Sequence, residues 1–202
     1  MADIQHSLIT DPNVHEPKGI SAAGNKQSYV SDGAGSGAWT DVDYNVCITQ
    51  VLEARSTDDQ EPSGTDTDLQ VNFGAEQTNQ YVSLSSGGTI TINEAGCYFL
   101  TVNLRLGRTT AASEALIGIR YSINGVVAGR PTAIKLDDGA FTIPYSITLL
   151  NSFSEEDEIT IEIVRDSSSA DNGGLFAASF DAPGWDDAPS ATIFMQKLNA
   201  RL

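Results

Sequence analysis

The sequence predicts an all-β fold: an antiparallel sandwich of jelly-roll type with about ten strands, preceded by an extended N-terminal arm. Three observations predict it. Apolar and polar residues alternate in run after run, the period of a half-buried strand. Turn signals rich in Gly, Asn, Asp and Pro separate those runs at intervals of about 8–15 residues. No segment sustains a helical or heptad period. The 202 residues are 40% hydrophobic and only 19% charged. That suffices for one core plus an appendage and is a poor composition for long helices.

Residues 1–42 read as the arm and 43–202 as the domain. The arm has few apolar residues and no period. Pro12 and Pro17 favour extended neighbours, and Gly33, Gly35 and Gly37 keep the approach to Trp39 pliable. Such a segment has no core of its own, so it is either disordered or ordered by lying on something else. QSYVSDG reads as one strand and a turn, with Trp39 as an apolar anchor.

In the domain, YNVCITQVLEA is the first strand and STDDQEPSGTDTD an exposed polar loop. LQVNFG, QYVSLSS and TITI follow, the last two separated by Gly87-Gly88. Asn93 to Gly96 turn the chain into CYFLTVNLRLGR, where Tyr98, Leu100, Val102, Leu104 and Leu106 mark one buried face. ALIGIRYSINGVVAG is a hairpin, because Asn124-Gly125 lies between two apolar runs. FTIPYSITLL alternates Phe141, Ile143, Tyr145, Ile147 and Leu149, and Pro144 inside it marks an edge strand or a bulge. DEITIEIVRD alternates Ile159, Ile161 and Ile163. After the loop DSSSADNGG, LFAASF reads as a short strand, DAPGWDDAP as an acidic loop and SATIFMQKLNARL as the closing strand.

The formal net charge is −16, from 27 acidic and 11 basic residues. A surface this negative repels phosphate backbones and anionic lipids, so neither nucleic acid nor membrane is expected as a partner. MADIQHSLIT has neither the basic nor the apolar region of a secretory signal. No stretch approaches the roughly 18 apolar residues of a membrane span. Synthesis in a cytoplasm is expected. Cys47 and Cys97 lie in strand-like contexts and read as buried thiols, with a bridge between them as the alternative.

Little supports catalysis. Both histidines, His6 and His15, lie in the arm, so the domain has no Ser-His or Cys-His pair and no usual zinc set. Carboxylate pairs are plentiful, as at Asp58-Asp59, Glu155-Glu156-Asp157 and Asp186-Asp187. They read as solvated loop charge, with calcium the next reading and a glycosidase pair the least favoured. The expectation is no enzymatic activity, no cofactor and no metal. Trp185, with Asp186 and Asp187, is the candidate receptor or partner loop, either facing a sugar or protein or packing down on the domain or a neighbouring subunit.

Three segments carry a resemblance: GGTITINEAGCYFLTVNLRL, LNSFSEEDEITIEIV and SATIFMQKL. The stretch from about 44 to 198 resembles the jelly roll of tumour necrosis factor and complement-like globular heads, although Glu156-Asp157 stands where that family carries Gly-Asp. The opening ADIQHSLITDPNVHEPKG, with YVSDGAGSGAW, resembles the N-terminal segment of tailed-bacteriophage virion proteins. Together the resemblances imply a homotrimeric virion protein on the capsid exterior. It would be a decoration or cement protein whose arm binds the major capsid protein through Pro12, His15, Glu16, Pro17, Lys18, Gly19, Tyr29 and Trp39. The alternative they imply is a head-fibre or tail-fibre tip that binds a host-surface receptor or glycan.

Overall fold

The computed structural model describes residues 27–31, 37–41, 47–77, 80–168 and 170–199. They fall into two units, a hairpin and a sandwich spanning Cys47–Asn199. In the hairpin, β1 (Gln27–Ser31) pairs antiparallel with β2 (Gly37–Asp41), and Tyr29 stands opposite Trp39. The QSYVSDG strand is therefore present, and the segment around Trp39 is a second strand rather than a lone anchor.

The sandwich consists of β3 (Cys47–Ser56), β4 (Leu69–Gln70), β5 (Glu76–Gln77), β6 (Val82–Leu84), β7 (Ile90–Ile92), β8 (Gly96–Arg108), β9 (Ala115–Ile123), β10 (Val126–Leu136), β11 (Phe141–Phe153), β12 (Glu158–Arg165), β13 (Gly174–Leu175) and β14 (Ala191–Asn199). One sheet runs β11-β8-β14-β3-β5, and the other β10-β9-β12-β7-β6. Every strand pairing in them is antiparallel. Taking β3, β7 to β12 and β14 as the principal strands, the first pairs with the last and the second with the next-to-last. That is the winding of a jelly roll.

Alternation decides which side chains enter the core. Tyr98, Leu100, Val102, Leu104 and Leu106 of β8 face inward, as do Ile159, Ile161 and Ile163 of β12, each at most 2% exposed. Ile193 and Met195 of β14, Leu52 of β3 and Ile117 of β9 fill the space between the sheets. Each such burial contributes roughly 1.5–3 kcal/mol before the entropy of ordering is subtracted.

Turn chemistry decides the reversals. Asn124 (φ 52°) and Gly125 (φ 73°) join β9 to β10 with both central residues left-handed, the type I′ geometry predicted for Asn-Gly. Asn124 also donates to Asp157 Oδ1 at 2.8 Å and accepts the Glu158 amide at 2.8 Å, which ties this turn to the one before β12. Pro144 lies on β11, an edge strand, opposite Arg105. Arg105 directs its amide to Ser190 O (2.8 Å) and receives the Phe176 amide on its carbonyl (3.0 Å), both away from β11. The Arg105–Pro144 pair is therefore non-hydrogen-bonded, and the ladder loses nothing to the missing proline N–H.

Two expectations need correction. LFAASF forms only the two-residue strand β13, because the chain leaves β8 after Phe176, whose amide still bonds Arg105 O. The polar loop after β3 is exposed along most of its length, as expected, and is also pinned. Gln60 clamps Asn72 through both ends of its amide (2.8 and 2.7 Å), and the buried Arg165 guanidinium donates to Pro62 O. Cys97 is an unbridged thiol, but half-buried, since its neighbour Tyr98 takes the inward position. β3 and β8 flank β14 on opposite sides, with Cys47 opposite Asn199 and Cys97 opposite Leu198. Two strand spacings, about 9–10 Å, exceed the reach of a disulfide. The side chain of Cys47 lies outside the described residues.

Candidate functional site

Among the described residues, two surface features stand out. The first is the loop between β13 and β14, which carries Trp185, Asp186 and Asp187. Ala178 and Ala188 exchange backbone hydrogen bonds of 3.0 and 2.8 Å across its neck. Asp59 accepts the Ala177 amide at 2.9 Å on one side, and Ser190 Oγ donates to Asp58 O at 2.6 Å on the other. At the tip, Trp185 N donates to Ala182 O at 3.1 Å. Pro183 supplies the preset φ and Gly184 the left-handed one (+82°), so Ala182–Trp185 is a type II turn. Asp187 turns inward and accepts the Phe180 amide at 3.0 Å.

This scaffold presents two apolar rings to solvent. Phe180 and Trp185 stack with centroids 6.2 Å apart and planes 25° apart, yet remain 52% and 71% exposed. Of the two sequence readings for Trp185, packing down on its own domain is therefore not what the structure has. Asp186 lies 3.7 Å from Arg55 Nη1 on β3, with both side chains largely exposed. A pair in that setting contributes little stability, on the order of 0–1 kcal/mol. Arg55 also lines a groove of about 500 Å³ with Glu53, Pro189, Thr192 and Phe194. Phe180 and Arg55 escaped the sequence reading. The only local signal was a second aromatic residue, Phe180, five positions before Trp185 across the Pro183-Gly184 turn.

The second feature is the edge at β11. Phe141, Ile143, Tyr145, Ile147 and Leu149 lie on the same face as the inward row of β8 and pack on the core, but each stays half-exposed. The other sheet ends at β10, which is exposed along most of its length. The sandwich is therefore unsealed along this side.

The remaining candidates divide plainly. Tyr29 and Trp39 are backbone register partners in the hairpin, and Trp39 is half-buried. Pro12, His15, Glu16, Pro17, Lys18 and Gly19 lie outside the described residues. The acidic clusters mostly brace turns. Asp157 accepts from Asn124 and from the Ser154 amide (both 2.8 Å), and these bonds, the Asn124 one foremost, hold its carboxyl below the ordinary range. Asp166 is lowered likewise by the Ser168 hydroxyl and amide. Among the described residues, no three His, Cys, Asp or Glu side chains converge to hold a metal ion. No protein-family model matches the chain, and no curated protein matches it.

Proposed function

We propose that this chain is a structural, non-catalytic virion protein: a homotrimeric decoration or cement protein on the outside of a phage head. The observation that carries the reading is the apolar row along β11. Phe141, Ile143, Tyr145, Ile147 and Leu149 seal the core on one side and stay half-exposed on the other. A cyclic assembly covers such an edge with a neighbouring copy and leaves no edge for further pairing. The arm, with Pro12, His15, Glu16, Pro17, Lys18, Gly19, Tyr29 and Trp39, is the attachment to the major capsid protein. Its composition suits a segment that orders on a partner, and its resemblance to phage virion openings supplies the partner class. The charge of −16 repels nucleic acid and suits the DNA-free exterior.

Sedimentation of the full chain tests the assembly. A trimer is expected, with Ile147→Asp monomeric and still folded by circular dichroism, and Ile147→Ala trimeric but weaker. A wild-type monomer overturns trimerisation. Particles stripped of the protein test cementing. They are expected to lose their contents at a lower temperature than decorated ones, and equal heat resistance overturns it.

The second reading, a head-fibre or tail-fibre tip that binds a host-surface receptor or glycan, is favoured by the exposed Phe180–Trp185 pair. Stripped particles that adsorb to cells normally would exclude it.

A further inference from the structure

We propose that the loop between β13 and β14 is a saccharide-binding platform, with the Trp185 ring as its floor and Asp186 and Arg55 as its hydroxyl partners. The inference rests on the second reading above, whose ligand class it names, and is independent of shell binding.

The loop is built to hold an exposed ring still. Its neck is closed by the Ala178–Ala188 pair, its interior by the Asp187–Phe180 bond, and its tip by a Pro-Gly turn. Phe180 backs one side of the stack at 6.2 Å, while Trp185 stays 71% exposed. A large apolar ring on a loop whose backbone is held at neck and tip leaves little backbone ordering to be done on binding. The ring has the amphipathic breadth that suits the apolar C–H face of a pyranose.

Polar chemistry beside the ring narrows the ligand. Asp186 accepts only, Arg55 donates only, and they stand 3.7 Å apart. A vicinal diol needs such a pairing, since each hydroxyl both donates and accepts. Arg55 also offsets the Asp186 charge, which weakens the case for a cationic peptide. The net charge of −16 disfavours anionic glycans and nucleotides. A neutral hexose or N-acetylhexosamine chain remains. The groove of about 500 Å³ shares Arg55 with the platform and has room for further sugar units.

The test uses the full chain with Trp39→Phe, so that Trp185 is its single indole. Maltotetraose and chitotetraose are the neutral probes, a heparin tetrasaccharide the anionic one, and tetralysine the cationic one. Trp185 emission and titration calorimetry are the readouts. At least one neutral probe is expected to shift the emission. Trp185→Ala should lower its affinity about tenfold or more, while Trp185→Phe retains most of it. Arg55→Ala should weaken it several-fold, and sedimentation should not change in any variant. Failure of both neutral probes to bind overturns the proposal. So does tighter binding of the heparin fragment or of tetralysine. A change in oligomeric state with Trp185→Ala also overturns it, by making the platform a contact between copies. Cosedimentation with capsids, done on chains that keep Trp39, reads shell binding separately, and Trp185→Ala should leave it intact.

Discussion

Glu94→Gln should destabilise the sandwich more than Lys197→Met, although the two side chains are partners in one ion pair. Lys197 follows Ala191, Ile193 and Met195 on the inward face of β14 and is 4% exposed. Its Nζ lies 2.5 Å from Glu94 Oε1, and the Glu94 side chain is 59% exposed. The ammonium also sits 4.8 Å from the Tyr81 ring centre and 5.5 Å from that of Tyr98. Removing the Glu94 charge leaves the Lys197 cation unpaired, a loss of about 3–5 kcal/mol where both partners are buried. The exposure of Glu94 and the two aromatic faces both reduce that figure, and the expected net loss is about 2–3 kcal/mol. Lys197→Met keeps the aliphatic volume in the core and also removes the desolvation penalty, while Glu94 rehydrates. Its expected loss is about 1 kcal/mol or less. For a domain of this size 1 kcal/mol moves Tm by about 2–4 °C. Glu94→Gln should therefore fall about 4–12 °C below wild type, and Lys197→Met about 4 °C or less. Differential scanning calorimetry at neutral pH measures both. A Lys197→Met Tm at or below that of Glu94→Gln would refute the reasoning, because packing rather than the stranded charge would then dominate.

The same cluster predicts an alkaline limit. Burial pulls the Lys197 pKa down, but the Glu94 bond and the nearby Tyr98 outweigh it, and the net direction is up from 10.5. Tyr98 is raised too, by burial first. Both contributions are fully present below the unfolded values and are lost as pH rises through the folded ones. Tm should therefore fall above about pH 10, and a smaller fall is expected in Lys197→Met. Two left-handed glycines should behave differently under urea. A Cβ on Gly88 (φ +91°) would meet Val71 O at 1.9 Å, whereas one on Gly125 (φ +73°) meets nothing within 4 Å. Gly88→Ala should lose about 3–4 kcal/mol and Gly125→Ala about 1 kcal/mol, and equal losses would refute the steric argument.

The sequence by itself determined the properties that repeat over a few residues. Period-two alternation assigned the inward faces of β8 and β12, Asn124-Gly125 announced its hairpin, and Pro144 marked an edge strand. Each rests on the pleat or on φ preferences, which act between neighbours along the chain. It also placed both histidines outside the domain's own stretch of chain, which told against Ser-His or Cys-His pairs built from that stretch alone. Tertiary structure alone decided which strands lie side by side. β14 enters between β3 and β8, and that placement separates Cys47 from Cys97 and brings Lys197 to Tyr98 and Glu94. It also decided that Arg55 from β3 reaches Asp186, and that the row on β11 is left half-open where the opposite sheet ends. These contacts join residues up to about a hundred positions or more apart. Closing such distances depends on the whole packed core, and no local pattern encodes it.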